Sequence, residues 1–374
     1  MMDNFDDLRP YYDSEISSAM QRIAGSPYLA AMTNFVFPDK TVNEVREMLL
    51  NIHTIEEFQF QVMYYFNKSV INNSIRNFTF SGIERLDPEK SYLFVSNHRD
   101  IVLDSSLMQL MLYQSELRTS EITFGSNLMT SQLIIDIGKS NKMFKVVRGG
   151  SIRDFYKNSM RLSEYIRHTI SQKKESIWIA QRNGRTKNGN DATDQGIIKM
   201  FCMSEPASLI NALSLLNIVP VAISYEVEPC DILKTRELYL SRNGQKYVKE
   251  DGEDFNSILT GIIQQKGNVH ISICEPVSLN DLNLIAENYP AEYHKKVASL
   301  IDKRICGEYK LHSNNYIAHD IRSGKETYQI YYTLEEKERF IQRYEQMLQQ
   351  VAGEKEVLRS LFLGIYANPV DNSL

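Results

Sequence analysis

Apolar residues recur at intervals of three and four along the first part of the chain. Val42, Val45 and Met48 show this spacing, which places apolar side chains on one face of a helix. We therefore predict a helical N-terminal extension over residues 1–77.

From about residue 78 the pattern changes to short apolar runs that are separated by amphipathic stretches. Strands that alternate with helices are typical of an α/β domain. We predict an α/β core over residues 78–278, in which a mixed sheet is flanked by helices. The predicted strands are 92–95, 122–124, 144–147, 177–180, 218–224 and 269–274.

Two further stretches complete the pattern. Residues 225–267 are charged and contain the turn signals Asn243-Gly244 and Asp251-Gly252, which predict a loop or hairpin excursion. Beyond about residue 279 helical spacing returns, and residues 334–363 are rich in strong helix formers. We expect a helical C-terminal region over residues 279–374.

The composition is that of a globular protein and limits the classes of partner. The 374 residues are 43% hydrophobic, and 42 Lys and Arg against 47 Asp and Glu give a net charge of −5. A chain with this charge lacks the global positive field of a general nucleic-acid binder, so we expect no nucleic-acid partner. Any anion site must be local.

Cysteine spacing and hydropathy indicate the cellular compartment. The four cysteines form no CxxC pair and have no histidine at zinc-ligand spacing, so we expect no metal site. The acidic start of the chain shows no secretory signal. The most apolar long stretch, 207–223, is interrupted by polar residues and is too short to span a bilayer. We expect a cytoplasmic protein that is soluble or bound peripherally to the inner face of the cell membrane.

A first candidate site follows the predicted strand 92–95. There the sequence Ser-Asn-His-Arg-Asp-Ile-Val-Leu-Asp places His98 and Asp104 just after a strand end, where ligands bind in open α/β sheets. A histidine can remove a proton from an acceptor hydroxyl, and a carboxylate on its other nitrogen would orient it. Alternatively, Asp104 is the N-cap of the following helix, because Asp is a favoured capping residue.

Two further strand ends carry cations. Arg148 follows the run 144–147 and precedes two glycines, and it can pair with a phosphate or simply meet solvent. After 177–180 come Arg182, Gly184, Arg185 and Lys187, a group that suits a phosphate but is also compatible with a solvated turn. We assign the segment 190–194 that follows only to ending this loop and capping a helix.

In this order, these elements resemble the glycerol-phosphate and lysophosphatidate acyltransferase superfamily. The resemblance covers residues 91–224 and rests on the Asn-His-x4-Asp-like box, the strand-ending arginine, a degenerate Glu-Gly-Thr-Arg box and the Val-Pro-Val strand at 219–221. Within the superfamily, the form of the first box and the segment Asp-Leu-Arg-Pro-Tyr-Tyr at 7–12 are similar to a bacterial branch of soluble or peripheral members.

The resemblance implies a role for each matching residue. His98 would be the general base and Asp104 its orienting carboxylate. The acceptor phosphate would bind the basic loop residues, which are Arg148, Arg182, Gly184, Arg185 and Lys187.

Two departures from the family pattern affect these expectations. Asp104 lies six positions after His98 rather than five, so the loop needs a local bulge, or else Asp100 serves. Asn183 stands where the family has Glu, and Arg185-Thr186 reverses the usual order, which leaves the acceptor open.

The resemblance further implies acyl transfer to lysophosphatidate in phospholipid synthesis, without an acyl-enzyme. The acyl donor would be an acyl carrier protein or coenzyme A thioester, and no cofactor would be needed. The partners would be this donor, a lysophospholipid acceptor and a membrane surface, for which the N-terminal extension is the candidate contact. Glycerol 3-phosphate, an amino-acid lipid and a non-catalytic lipid- or phosphate-binding role stay open as alternatives.

Overall fold

A seven-stranded sheet forms the centre of the computed structural model, which describes residues 5–244 and 247–373. The strands are β1 (Ile75–Ser81), β2 (Leu93–Ser96), β3 (Glu121–Gly125), β4 (Met143–Val146), β5 (Ile177–Ala180), β6 (Ile218–Tyr225) and β7 (Gly267–Ile273).

The sheet is mixed, as the sequence predicts. Its strand order is β1-β7-β6-β2-β5-β3-β4, and β6 and β7 are the antiparallel pair among parallel neighbours. The five strands β2 to β6 therefore point one way, and β1 and β7 point the other way. All residues of β2 and β6 are buried, because helices cover both faces of the sheet at its centre.

Helices surround this sheet and also form both ends of the chain. The helices before β6 are α1 (Asp13–Ala24), α2 (Leu29–Val36), α3 (Val42–Leu50), α4 (Ile55–Phe58), α5 (Tyr64–Ser74), α6 (Leu103–Gln114), α7 (Gln132–Ser140), α8 (Ile152–His168), α9 (Gln195–Cys202) and α10 (Leu209–Ser214). Those after β6 are α11 (Asp231–Leu240), α12 (Glu253–Ile263), α13 (Leu279–Asn288), α14 (Tyr293–Glu308), α15 (Ser313–Ser323), α16 (Leu334–Gln350) and α17 (Lys355–Asn372). Two π-helical turns, Gln59–Met63 and Thr169–Lys173, continue α4 and α8.

The N-terminal helices form a layer with its own apolar cluster. Thr41 caps α3 by accepting a hydrogen bond from the backbone N–H of Glu44, whose side chain bonds back to Thr41. Ile16, Met20 and Leu49 are among the residues that pack in the cluster. The helical extension ends at Ser74 and β1 begins at Ile75, so the boundary expected at residue 77 falls inside a strand.

The interpretation of 225–267 as a loop or hairpin excursion is wrong. Two helices, α11 and α12, occupy about half of this stretch. Asn243 and Gly252 do adopt positive φ, as their turn signals suggest, but these turns connect helices rather than strands. Short-range turn signals mark where the chain bends and leave open what it connects.

The C-terminal helices pack on α11. Arg343 on α16 makes two hydrogen bonds to Asp231, at 2.7 and 2.6 Å, and the hydroxyl of Tyr366 on α17 donates to the same carboxylate at 2.5 Å. Asp231 is fully buried, so these donors supply the partners that its charge requires. The last hundred residues are thereby joined to the core.

No helix within residues 5–244 and 247–373 is long and apolar enough to cross a membrane. The same residues contain no group of three or more potential metal ligands. All four cysteines are free thiols.

Candidate active site

The three predicted sites meet at the carboxyl ends of the parallel strands. Strands β2, β4 and β5 all point the same way, so their carboxyl ends lie together. His98 follows β2, Arg148 follows β4 and Arg182 follows β5. The backbone N–H of Thr186 donates to the carbonyl of His98 at 2.7 Å, which joins the first loop to the third.

A cavity of about 390 Å³ opens at these strand ends. Its lining includes all the sequence-predicted site residues except Asp104, namely His98, Arg148, Arg182, Gly184, Arg185 and Lys187. Apolar side chains line the remainder, among them Leu8, Ile101, Val146, Leu162, Ile197 and Met200. One space thus combines a histidine, several cations and an apolar wall.

His98 and Asp104 are in direct contact. The histidine Nδ1 lies 2.9 Å from Asp104 Oδ2, and Asp104 is fully buried in the first turn of α6. This contact fixes the proton on Nδ1 and leaves Nε2 as the nitrogen that can take a proton from a substrate. The ring of Trp178 on β5 meets the imidazole edge to face, at 5.8 Å between centroids, and limits its rotation.

Three further donors surround the Asp104 carboxylate. The backbone N–H groups of Arg99 and Asp100 donate to Oδ2 at 2.6 and 2.9 Å, and the hydroxyl of Tyr225 donates to Oδ1 at 2.8 Å. Burial, followed by the charge of Asp104, raises the pKa of Tyr225, so this hydroxyl stays protonated as a donor. A buried carboxylate, which is an acceptor only, needs such a set of donors.

The interpretation of Asp104 as the N-cap of α6 is wrong. Asp100 has this capping role instead. Its Oδ1 accepts hydrogen bonds from the backbone N–H groups of Val102, at 2.9 Å, and Leu103, at 2.8 Å. Asp104 is the second residue of the helix and faces the loop that carries His98. The loop between β2 and α6 curls around this carboxylate, and this accommodates the six-residue spacing.

The predicted cations differ in what holds them. Arg185 is only 9% exposed, and its buried Nη1 has no hydrogen-bond partner in the part of the chain that the structure describes. Lys187 forms an ion pair with Glu237 of α11, although burial and then nearby cations such as Lys249 and Arg185 lower its pKa to about 8. Arg185 is therefore the cation best placed to bind an anion in the cavity.

A buried ionic network holds the loop of His98 from below. Arg99 is fully buried and pairs with Asp191, at 2.6 Å from Nη2, and with Glu228, at 3.2 Å from Nη1. Lys234 on α11 pairs with Glu228 at 2.5 Å and donates to the backbone carbonyl of Arg99 at 2.7 Å. Two positive and two negative groups balance in this network, which suits their burial.

The network links the loop to distant parts of the chain. Asn97 donates from Nδ2 to Asp191 at 3.0 Å, and the backbone N–H of Glu228 donates to the hydroxyl of Tyr366 at 3.2 Å. The C-terminal helix α17 is therefore connected to Arg99 in the loop of His98 through Glu228. This arrangement gives the C-terminal region a role in positioning the site.

Three residues of the site escaped the sequence analysis. Tyr225 is visible in sequence only as the last residue of a buried strand, and Trp178 only as part of another. Asp191 was given a loop-ending role, but it is the partner of Asn97 and Arg99. In sequence it is one of two aspartates in a loop with Gly and Asn, which is ordinary turn composition.

We expect Tyr225→Phe to lower kcat about tenfold and to leave KM for the acceptor within about twofold. The hydroxyl donates a hydrogen bond to a buried charge, and such a bond contributes roughly 1.5–3 kcal/mol. Without it the Asp104 carboxylate is held less firmly, so His98 is positioned less well for proton transfer. Steady-state kinetics separates the two constants. Tyr293→Phe is the matched control, because that buried hydroxyl has no partner among the described residues. Equal kcat values for the two variants would contradict a positioning role for Tyr225.

Comparison with protein-family models matches residues 77–224 to the family described as Acyltransferase. Among solved structures, the chain is similar to the crystal structure of the 1-acyl-sn-glycerophosphate (LPA) acyltransferase, PlsC, from Thermotoga maritima. The two sequences are 12% identical, the TM-score is 0.39, and the alignment covers 77% of this chain and 94% of that chain. None of the curated proteins matches the sequence. The family segment runs from within β1 to within β6 and includes His98, Asp104 and the four predicted cations, Arg148, Arg182, Arg185 and Lys187.

Proposed function

We propose that this chain, whose residues 77–224 match the acyltransferase family model, moves a fatty acyl group from a thioester to a hydroxyl of lysophosphatidate (1-acylglycerol 3-phosphate). The observation that carries this proposal is the shared cavity. His98, held by Asp104, lines the same space as Arg182 and Arg185. A base next to a cation site suits an acceptor that has both a hydroxyl, which the base deprotonates, and a phosphate, which the cations bind.

The reaction proceeds by direct attack on the thioester. Nε2 of His98 takes the proton of the acceptor hydroxyl as its oxygen attacks the thioester carbonyl carbon. The carbon–sulfur bond then breaks, and the leaving thiolate takes the proton from the imidazolium. Asp104 stabilises the imidazolium between these steps. The products are an ester and a free thiol, and no acyl-enzyme forms.

The protein contributes to the rate in two ways. A positioned general base accelerates such a reaction by roughly 10²–10⁴-fold. Binding the acceptor phosphate at a fixed distance from His98 converts an encounter between separate molecules into a step within one complex. The cations act mainly through this positioning.

The acceptor phosphate binds Arg185 first. Arg185 lines the cavity, and its buried Nη1 is a charged donor without a partner among the described residues. Arg182 and Arg148 line the same cavity and add positive charge. Glu237 holds Lys187, so that residue contributes through its charge rather than through a free ammonium group.

The apolar part of the lining receives acyl chains. Leu162, Ile197 and Met200 belong to both the cavity wall and the main apolar core. The acyl donor is an acyl carrier protein or a coenzyme A thioester, which needs no further cofactor. The protein acts in the cytoplasm, at the inner face of the membrane that contains its acceptor.

A thiol-release assay tests the proposed function. The protein is incubated with acyl carrier protein or coenzyme A thioesters, with and without lysophosphatidate, and the free thiol is measured together with the phosphatidate formed. We expect thiol release that depends on the acceptor and matches the product one for one. Parallel assays with glycerol 3-phosphate and with an amino-acid lipid identify the acceptor. Absence of release with every pair would reject catalysis and favour a binding role.

We expect Arg185→Ala to lower kcat/KM for lysophosphatidate about tenfold to a hundredfold. One charge-assisted hydrogen bond contributes roughly 1.5–3 kcal/mol, which corresponds to this range. Arg185→Lys should recover only part of the loss, since an ammonium group lacks the planar fork of a guanidinium. The measurement is kcat/KM for lysophosphatidate and, as a control, for a monoacylglycerol without phosphate. Equal losses for both acceptors would show that Arg185 does not bind the phosphate.

A further inference from the structure

Large apolar side chains are exposed at the start of α8, beside the cavity. Ile152 is 92% exposed and Tyr156 is 60% exposed, and Val147 and Phe155 are exposed with them. Phe155 and Val147 also line the cavity, so this group, here called the α8 rim, borders its opening. A cluster of this kind on a monomer marks an interaction site more often than a chance exposure.

A second exposed apolar strip lies on α12, whose first turn reaches the cavity. Phe255, Leu259 and Ile263 are exposed at intervals of four residues and share one face of that helix. The helix begins at the cavity, because Asp254 lines it and accepts a hydrogen bond from Asn127 at 3.3 Å. This strip is here called the α12 rim.

Basic residues are interleaved with the α8 rim. Arg148, Arg153 and Lys157 are exposed within ten positions. The acidic residue of this stretch, Asp154, is occupied at the helix start, where it accepts hydrogen bonds from the backbone N–H and hydroxyl of Ser151. The rim therefore presents apolar side chains together with positive charge, the pattern of a surface that lies on anionic lipids.

The N-terminal helices are less suited to membrane contact than the sequence suggests. Their apolar faces pack against each other and against α7, through Leu133 and Ile137. Five large apolar side chains remain exposed there without lining the cavity, namely Tyr12, Tyr28, Leu50, Phe60 and Tyr65.

We propose that the α8 and α12 rims dock on a bilayer that contains anionic lipids, with the cavity opening toward it. This inference rests on the proposed function, because the proposed acceptor is a lipid that reaches the cavity from a membrane. Side chains as exposed as Ile152 and Tyr156 can reach the boundary between headgroups and acyl chains. Arg153 and Lys157 then face the headgroups, and the acceptor moves from the bilayer into the cavity without crossing water.

An acidic carrier protein is the other partner that basic residues could attract. The apolar character of both rims favours the bilayer, because a carrier protein held by charge would need the cations and not the exposed Ile, Leu and Phe. Substitutions of the apolar rim residues should weaken binding to a bilayer, whereas substitutions of the basic residues alone should weaken binding to a carrier protein.

Co-sedimentation with vesicles tests the proposal. The probes are vesicles of phosphatidylcholine alone and of phosphatidylcholine mixed with phosphatidylglycerol, at low and high salt. We expect the wild-type protein to bind the mixed vesicles, and the double variant Ile152→Ser and Tyr156→Ser to bind at least about tenfold more weakly, since each side chain loses its buried apolar area. Arg153→Gln with Lys157→Gln should weaken binding to the mixed vesicles by about fivefold for each charge removed and flatten the salt dependence.

A matched control lies on the C-terminal helices. Ile330 is 87% exposed and Leu334 is 71% exposed, and neither lines the cavity. The double variant Ile330→Ser and Leu334→Ser should bind vesicles as the wild type does. Equal vesicle binding by the wild type and the Ile152 and Tyr156 variant would overturn the proposal. So would an unchanged vesicle affinity accompanied by weaker binding of acyl carrier protein.

The vesicle assay gives its answer without catalysis. The His98→Ala protein should bind vesicles as the wild type does, because the rims are intact. Suppose that the wild type binds vesicles but transfers no acyl group, and that the Ile152 and Tyr156 variant binds vesicles more weakly. The docking surface would then stand, and the proposed reaction would fail. Circular dichroism confirms that the exposed substitutions leave the fold unchanged.

Discussion

Replacing His98 with alanine is expected to lower kcat for acyl transfer by about 10²–10⁴-fold while the protein stays folded. The side chain lines the cavity, and its Nε2 is the proposed base for the acceptor proton. Its contacts within the protein are to Asp104 and Trp178, so its removal leaves the apolar cores intact. Thiol release and thermal unfolding are measured on the same preparation.

The control for this prediction is His53→Ala. His53 is an exposed histidine that contacts Ser17 in the N-terminal layer at 2.8 Å. This variant should keep the wild-type rate. A folded His98→Ala protein with near-normal turnover would reject His98 as the base and with it the proposed mechanism.

The second prediction compares two neighbouring carboxylates. Asp104→Asn should lower kcat by about a hundredfold or more, whereas Asp100→Asn should retain most of the activity. An amide at position 104 presents an NH₂ group to donors that need an acceptor, and it no longer stabilises the imidazolium of His98. Asp100 accepts from the N–H groups of Val102 and Leu103, and an asparagine oxygen can do the same.

Both variants are compared by kcat and by the free energy of unfolding. Asp100→Asn is the internal control, because the two positions share one loop and the same chemical change. If Asp100→Asn caused the greater loss of kcat, the orienting carboxylate would have to be reassigned to Asp100. If both caused equal losses with equal destabilisation, the effect would be on the loop as a whole.

The two departures from the family pattern have different structural consequences. The six-residue spacing is accommodated, since Asp104 reaches His98 at 2.9 Å from within α6. Asn183 lines the cavity as an exposed side chain beside Arg182 and Gly184. Its neutral side chain adds no negative charge beside these residues.

The sequence alone determined the strands and the loops that carry the site. Six of the seven strands are visible as short apolar runs, and this signal is strongest in β6, which is fully buried and apolar except at Ser224. β1 was missed, because its alternating exposure resembles the polar end of the preceding helix. The positions of His98, Arg148 and Arg182 followed from their places after strands, since parallel strands end at the same edge of a sheet.

Only the tertiary structure decided which groups touch. Asp100 and Asp104 are equally acidic in sequence, and the direction of the loop between β2 and α6 assigns one to helix capping and the other to His98. Tyr225 reaches Asp104 across 121 positions, and Asp191 reaches Arg99 across 92. Such contacts depend on strand order and on how loops close in space. Local residue patterns record neither, because they reflect the burial of each segment and not its neighbours.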